Sequence, residues 1–144
     1  MHCVDVNVLL YASFSGSVHH AQARDVLIEL RRSAAQLAIP SMVISGFIRV
    51  ATNRRVFDPP MNSDEAIAFV ESLLASPTVS LVEPSGRHWT IFRGLVREHA
   101  LRGPDITDAY LAAIALERGA TWVSYDRGFA RFGGLQWLNP AAAV

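Results

Sequence analysis

The sequence predicts a layered α/β domain whose central sheet is mainly parallel. Short runs rich in β-branched residues alternate with longer stretches of helical periodicity, which is the pattern of such folds. In addition, 51% of the 144 residues are hydrophobic and only 18% are charged, enough to build one substantial core. Because no linker, repeat or low-complexity stretch divides the chain, we expect a single domain over residues 1–144.

Five short segments are the predicted strands: residues 3–5, 37–39, 79–82, 121–124 and 135–137. Between them, apolar residues recur at helical spacing over residues 23–30, 66–73 and 89–96, and each stripe is expected to face inward. Asn62 or Ser63 is the predicted cap of the second of these helices. Residues 106–116 leave almost no polar face, so this helix is expected to be central and buried.

The basic residues exclude several kinds of chemistry. All 13 of them are Arg, and the absence of Lys excludes a phosphate-binding loop lysine and Schiff-base catalysis. Because 13 acidic residues balance them, a nucleic-acid partner would need a local basic patch. With Cys3 as the single cysteine, no leader-like start and no long apolar run, we expect a soluble cytoplasmic protein without a membrane segment.

Three aspartates are expected where ligands collect in a parallel sheet, beyond the carboxyl ends of its strands. Asp5 ends the first predicted strand, Asp126 follows the fourth, and Asp108 lies in the first turn of the buried helix. Converging carboxylates need a cation to neutralise them, and hard oxygen ligands select Mg²⁺ or Mn²⁺. Taken singly, each aspartate is better explained as a helix cap or turn residue, and only the set of three favours a metal site.

Three acidic motifs in this order resemble those of the PIN-domain ribonucleases, in particular the VapC-type toxins of bacterial toxin–antitoxin pairs. The motifs read DVNVLLY from Asp5, TDAYLAA from Thr107 and SYDRGF from Ser124. The resemblance extends to HHAQA from His19, RVATNRRVF from Arg49 and WLNP from Trp137, and so covers nearly the whole chain. It implies a PIN-like three-layer α/β/α fold with a mainly parallel five-stranded sheet.

The resemblance also implies a metal site. Asp5, Asp108 and Asp126 take the family's catalytic and metal-ligand positions. Asn7 and Ser124 are expected to hydrogen-bond to these ligands without binding the metal themselves. Many family members carry a Glu where this chain has Gly46, in ISGFIR, which leaves fewer carboxylates. Asp105 is a candidate replacement, but Gly-Pro-Asp favours an N-cap facing the backbone of Asp108.

Several other residues are candidates for contacts with partners. Arg49, Arg54 and Arg55 are candidate RNA-binding residues, because guanidinium groups bind phosphates in a bidentate manner. A second basic region contains Arg87, Arg93, Arg97 and Arg102, for which a solvated helix face is the favoured interpretation. Phe57 and Met61 are expected to be exposed and to serve a partner surface, and the five histidines are expected at the surface.

These residues and the resemblance together predict a Mg²⁺-dependent endoribonuclease toxin, with Mn²⁺ as a substitute ion. One metal would be bound mainly by Asp5 and Asp108, a second would lie near Asp126, and hydrolysis by an external water would leave a 5′-phosphate and a 3′-hydroxyl. The resemblance further implies a cognate VapB-type antitoxin and a homodimer. The alternative is a catalytically inactive PIN domain that binds protein or RNA, because Gly46 removes one carboxylate.

Overall fold

Five parallel strands form the central sheet of the computed structural model, which describes residues 1–142 of the chain. The strands are β1 (His2–Val4), β2 (Leu37–Pro40), β3 (Val79–Val82), β4 (Thr121–Val123) and β5 (Trp137–Leu138). Their spatial order is β3-β2-β1-β4-β5, and every pairing is parallel. The predicted fold class is therefore confirmed.

Six α-helices cover this sheet within the described residues. They are α1 (Val6–Ser13), α2 (His20–Arg32), α3 (Ser41–Ala51), α4 (Ser63–Leu74), α5 (His88–Glu98) and α6 (Asp105–Arg118), with short 3₁₀ turns at Arg127–Arg131 and Pro140–Ala142. Helix α1 packs on α2 and α3, α3 packs on α4, and α5 packs on α6. The helices thus form two groups, α1 to α4 and α5 with α6. Because parallel crossovers are right-handed and the direction of strand addition reverses after β3, these two groups lie on opposite faces of the sheet.

The direction of strand addition changes on the two sides of β1. The chain adds β2 and then β3 on one side of it, and returns to add β4 and β5 on the other. In open parallel sheets the crevice outside the carboxyl ends of the strands at this reversal is the usual ligand site. In this fold the reversal lies between the carboxyl ends of β1 and β4.

Helix α6 is buried as its composition predicts. Ala109, Ala112, Ala113 and Ala115 have no exposed surface, and the helix ends at Gly119, which adopts the left-handed conformation that a helix C-terminus favours in glycine (φ 61°). Asn62 caps α4 in a reciprocal capping box with Glu65, as predicted. No helix among residues 1–142 combines the length and the apolar character needed to cross a bilayer.

Some predicted boundaries and exposures are wrong. Strand β1 ends at Val4 and β4 at Val123, so Asp5 and Ser124 follow their strands, and β5 lies one to two residues later than predicted because Trp137 pairs with Trp122. Trp89 was placed on the inward stripe of α5 but is 63% exposed. Conversely, the sequence predicts His88 at the surface, but this residue is buried. Its Nε2 lies 2.9 Å from the carbonyl oxygen of Tyr110.

Candidate functional site

Asp5 is buried at the junction of β1 and α1. Its backbone is extended, and its Oδ1 accepts a hydrogen bond from the Val6 backbone N–H at 2.7 Å, so the side chain caps α1. Only 8% of the residue is exposed, which is unusual for an aspartate. Capping and membership of the acidic site, treated as alternatives on sequence grounds, are thus combined in this residue.

Ser124 connects the first acidic motif to the third. This fully buried residue donates its hydroxyl hydrogen to Oδ2 of Asp5 at 2.6 Å. The same Oγ accepts hydrogen bonds from the Asn7 side chain at 3.2 Å and from the Asp126 backbone N–H at 3.0 Å. Asn7 also accepts a hydrogen bond from the Tyr125 backbone N–H. The ends of β1 and β4 are therefore held together by a shared polar network.

Burial raises the pKa of Asp5 to about 6. Loss of hydration is the largest cause, and the charges of Asp108 and Asp126 add to it, while the hydrogen bonds from Ser124 and Val6 oppose it. No cationic side chain of the described residues forms an ion pair with Asp5. Its carboxylate is therefore oriented by neutral donors and has no positive charge to balance it.

Asp108 has a cationic partner within the protein. Arg131 donates a hydrogen bond from one terminal nitrogen to Oδ2 of Asp108 at 2.9 Å, and the same nitrogen lies 3.7 Å from Oδ1 of Asp105. Burial and the charge of Asp126 raise the pKa of Asp108, and Arg131 opposes this shift. Asp105 and Asp108 lie three residues apart in the first turn of α6 and share one of its faces. The prediction that Asp105 caps α6 is wrong, because Asp105 is the first residue of the helix and Pro104 occupies the cap position.

Asp126 is exposed and faces the same edge of the sheet. Its Oδ1 accepts a hydrogen bond from the Gly128 backbone N–H at 2.8 Å, which begins the 3₁₀ turn and confirms the predicted turn role. Its negative charge raises the pKa of both Asp5 and Asp108. The three aspartates of the acidic motifs are therefore close enough to repel one another.

The acidic residues are not arranged around a single point. Within residues 1–142, no three His, Cys, Asp or Glu side chains are close enough together to hold one metal ion. Asp108 is directed to Arg131, and Asp5 is directed to Ser124 and Val6. By donor chemistry the carboxylates suit Mg²⁺ or Mn²⁺, and Arg131 competes with such an ion for Oδ2 of Asp108.

Gly46 lies beside the buried aspartate. A Cβ at this position would lie 3.0 Å from a methyl carbon of Val6, the residue that follows Asp5. Position 46, where the family resemblance implies a Glu in many members, is therefore adjacent to the acidic edge. In this chain the space is filled by Val6.

The first group of candidate RNA-binding arginines begins close to the site. Arg49 follows Gly46 by three residues, so the two share a face of α3. Arg54 and Arg55 are exposed in the turn after α3. None of the three forms an ion pair with another described residue, which leaves their guanidinium groups available for an external anion.

Phe57 and Met61 are less exposed than predicted. The Phe57 ring stacks on Phe14 at 3.7 Å between centroids, and both Phe57 and Met61 are half-buried. Together with residues 13–17 they line a surface groove of about 470 Å³. The acidic residues of the three motifs do not line this groove, so it is a separate surface from the acidic edge.

Arg131 is a site residue that the sequence interpretation missed. It was one of 13 arginines, and it contacts Asp108 only because the 3₁₀ turn after Asp126 packs on α6. The signal in the sequence that could have identified Arg131 is its position five residues after Asp126, close to the third acidic motif. The Arg131 Nε is buried without a hydrogen-bond partner, which shows that its polar contacts are incomplete.

The sequence matches the PIN domain family over residues 2–135. It is 49% identical over 140 residues to the VapC ribonuclease Mb2897 of Mycobacterium bovis, an alignment that covers 97% of this chain and 95% of that protein. It is 37% identical over 140 residues to ribonuclease VapC25 of Mycobacterium tuberculosis, covering 97% and 99% of the two chains. Both matches extend over essentially the whole of the relative.

Solved structures show the same fold. A chain of VapBC2 from Rickettsia felis, bound to a DNA fragment from its promoter, superposes with a TM-score of 0.71 at 17% identity, covering 96% of this chain and 97% of that one. VapC20 of Mycobacterium tuberculosis, described as a sarcin–ricin loop cleaving toxin, superposes with a TM-score of 0.67 at 16% identity over 94% and 98% of the chains. At such identities the likeness concerns the fold alone.

Proposed function

The chain belongs to the PIN-domain family, and on that basis we propose that it is a VapC-type endoribonuclease toxin that hydrolyses RNA with Mg²⁺ or Mn²⁺ as cofactor. One observation supports this best: the carboxylate of Asp5 is buried at the strand-order reversal, next to two further acidic residues and without a cation of its own. Such an arrangement is unfavourable unless it binds a positive ion. Relatives at 49% and 37% identity carry the name ribonuclease, which favours an active enzyme over the inactive alternative.

Asp5 and Asp108 are the proposed principal ligands, and Asp126 is the proposed third acidic residue. When bound, the metal would lower the pKa of a water molecule and stabilise the charge that develops during phosphodiester hydrolysis. Ser124 and the Val6 N–H fix the orientation of Asp5, so that its carboxylate does not need to be ordered when RNA binds. Asp126 is the most exposed of the three and is accessible to the substrate from solvent.

Arg131 is the proposed counter-ion of the metal-free site. It binds Oδ2 of Asp108 at 2.9 Å and so competes with an ion for that oxygen. Once released, a guanidinium group so near the acidic edge is suited to a phosphate oxygen of the RNA. Arg49 near the end of α3, and Arg54 and Arg55 in the turn that follows, are proposed to bind the RNA backbone.

We also propose a VapB-type antitoxin as partner. Several of the similar folds come from VapBC toxin–antitoxin complexes, such as that of Rickettsia felis. A basic segment of the partner would be attracted to the acidic edge formed by Asp5, Asp108 and Asp126. The groove between residues 13–17 and Phe57 offers an apolar surface for the remainder of such a segment.

RNA cleavage by the purified chain tests the proposed function. We expect cleavage of single-stranded RNA with Mg²⁺ or Mn²⁺, no cleavage with a chelator, and products that carry a 5′-phosphate and a 3′-hydroxyl. Asp5→Asn and Asp108→Asn should each abolish it. Asp25→Asn is the matched control, because Asp25 is an exposed aspartate on α2 that pairs only with Arg24 among the described residues.

Three results would contradict the proposal. Cleavage that persists in the chelator, or in the Asp5→Asn and Asp108→Asn variants, would exclude the acidic edge as the catalytic site. A wild-type chain that binds RNA but leaves it intact under every metal condition would support the inactive binding module instead.

A further inference from the structure

Trp89 is a large aromatic residue held at the surface. It lies in the first turn of α5 with 63% of its surface exposed. Its ring meets Phe92 in an edge-on arrangement at 6.1 Å, and Phe92 in turn meets Tyr110 of α6 at 5.4 Å. These contacts support the indole on one side, and its exposed surface leaves the ring available to a ligand. Large exposed rings supported in this way are suited to stacking.

A shallow groove adjoins this ring. It has a volume of about 260 Å³ and is lined by Trp89, Phe92, Arg93, Val96, Arg97 and Ile106. Pockets for drug-sized ligands usually measure about 300–1,000 Å³. The groove is therefore suited to one planar ring system rather than to a larger molecule.

The rim of the groove is basic. Arg93 and Arg97 are exposed and one helical turn apart on α5. Neither forms an ion pair within residues 1–142, and the acidic neighbour Glu98 is directed to His99 instead. An apolar floor with unneutralised guanidinium groups favours a ligand that carries both flat rings and negative charge.

The groove and Asp108 share helix α6. Ile106, which forms one wall of the groove, and Asp108 both lie in the first turn of this helix. Because they are two residues apart, their side chains project from nearly opposite sides of a helix that is about 10–12 Å across with its side chains. A nucleic-acid strand whose phosphate lies at Asp108 reaches the groove with a different nucleotide, by passing around the N-terminus of α6.

We propose that this groove stacks one unpaired base of the bound RNA away from the cleaved phosphate, with Trp89 as the stacking platform and Arg93 and Arg97 on the phosphates that adjoin this base. The inference rests on the proposed function and adds to it that the substrate is single-stranded at this nucleotide. A second copy of the chain is a poorer occupant, because the lining of the groove contains two arginines and no acidic side chain that could pair with them in another copy. The charge of the rim matches RNA.

Binding of short oligoadenylate and oligouridylate in a chelator tests the proposal without cleavage. Trp89→Ala should weaken binding by roughly 5- to 150-fold, the usual range when a base-stacking ring is removed. Trp89→Phe should retain most of the affinity. Trp122 is fully buried, and Trp137 is half-buried with its Nε1 donating to the Ser124 carbonyl at the acidic edge. The part of the fluorescence quenching by RNA that is present in the wild type and lost in Trp89→Phe therefore measures occupation of the groove. Duplex RNA of the same length should bind equally to all three proteins.

The arginines are tested by the dependence of binding on salt. Loss of two phosphate contacts in Arg93→Gln/Arg97→Gln should reduce the slope of log affinity against log salt by about 1.4, since single strands contribute about 0.7 for each neutralised phosphate. Arg24→Gln is the matched control, because Arg24 is exposed on α2 and pairs there with Asp25. Its slope should equal that of the wild type.

Three outcomes would overturn the proposal. If Trp89→Ala binds and cleaves RNA as the wild type does, the groove holds no base, although the proposed function stands. If Trp89→Ala turns a dimer into a monomer in sedimentation while RNA affinity is unchanged, a second copy covers the groove. If Trp89→Ala loses a protein partner but no RNA affinity, the groove binds a peptide. A wild-type chain that never cleaves RNA refutes the proposed function, whereas the binding measurements still decide the groove.

Discussion

Replacing Arg131 by Gln should have opposite effects on stability and on metal binding. In the metal-free protein Arg131 is the cation that balances Asp108, through a hydrogen bond of 2.9 Å between side chains that are only 29% and 23% exposed. The variant leaves Asp108 beside the negative charges of Asp105 and Asp126 with nothing to offset them. A metal ion no longer has to displace a guanidinium group, and so it should bind more tightly.

The magnitude follows from the partial burial of this pair. Removing one partner of a hydrogen bond to a charged group costs about 1.5–3 kcal/mol, and the remaining exposure of both side chains places Arg131→Gln near 1.5 kcal/mol. In a domain of this size that corresponds to a decrease in Tm of roughly 3–6 °C without metal. In the variant, Arg131 no longer competes with the ion for Asp108. The same free energy therefore corresponds to about tenfold tighter Mg²⁺ or Mn²⁺ binding.

Thermal unfolding in a chelator and calorimetric titration with Mn²⁺ measure the two effects. Arg127→Gln is the matched control, because Arg127 is an exposed arginine of the same 3₁₀ turn, and it should change neither quantity. If the folded Arg131→Gln protein bound metal more weakly than the wild type, or equally well, Arg131 would not compete with the ion. The reasoning would then be wrong.

Three further predictions concern the acidic residues. The raised pKa of Asp5 means that its unfolded form ionises near 3.8 and its folded form near 6, so the wild type loses stability as pH rises between these values. Metal-free Asp5→Asn should therefore be more stable than the wild type at pH 7, by up to about 3 kcal/mol in urea unfolding, with the difference gone below about pH 4; a difference independent of pH would contradict this. Asp105→Asn should keep most RNA cleavage, because the ion pair that this exposed carboxylate makes among residues 1–142 is a long one, to Arg131 at 3.7 Å. A hundredfold loss of rate in a folded variant would identify Asp105 as a ligand. Antitoxin affinity should fall with high Mg²⁺ and in Asp126→Ala, and a partner indifferent to both would bind away from the acidic edge.

The sheet and its acidic edge could be predicted because both depend on local patterns. Short β-branched runs separated by helices specify a parallel sheet, and residues that follow such strands must collect at one edge. Asp5 and Asp126 were located in this way. The boundaries moved by one or two residues because strand length is decided by pairing, as at Trp137 opposite Trp122, which no local pattern contains.

The contacts of the site depend on residues that are distant in sequence. Arg131 meets Asp108 across 23 residues, and Ser124 meets Asp5 across 119. Composition and motifs specify neither pair. Asp105 was predicted as a cap because Gly-Pro-Asp is typical of a helix start, but the helix includes Asp105 as its first residue, so Asp105 is inside the helix rather than flanking it.

Exposure was predicted less well than secondary structure. Helical periodicity correctly groups Trp89 with Phe92 and Val96, but it does not tell how far the neighbouring helix extends to cover that stripe. Trp89, in the first turn, is left uncovered. His88 shows the reverse error, since its ring is enclosed between Phe92 and Tyr110 by a helix pairing that the sequence does not reveal.

The contact between Gly46 and Val6 makes the order of mutations in this site matter. A side chain introduced at position 46 meets a Val6 methyl at 3.0 Å, and a β-branched residue in a helix has one strongly preferred rotamer with which to yield. Gly46→Ala should therefore fail to give the gain of about 1 kcal/mol that such a change usually brings inside a helix. Val6→Ala made first would open the space, after which a carboxylate at position 46 could be accommodated beside Asp5. Evolution between an acidic edge with Gly at position 46 and one with a carboxylate there is thus constrained by epistasis between positions 6 and 46. A double-mutant cycle at these two positions would measure their coupling energy.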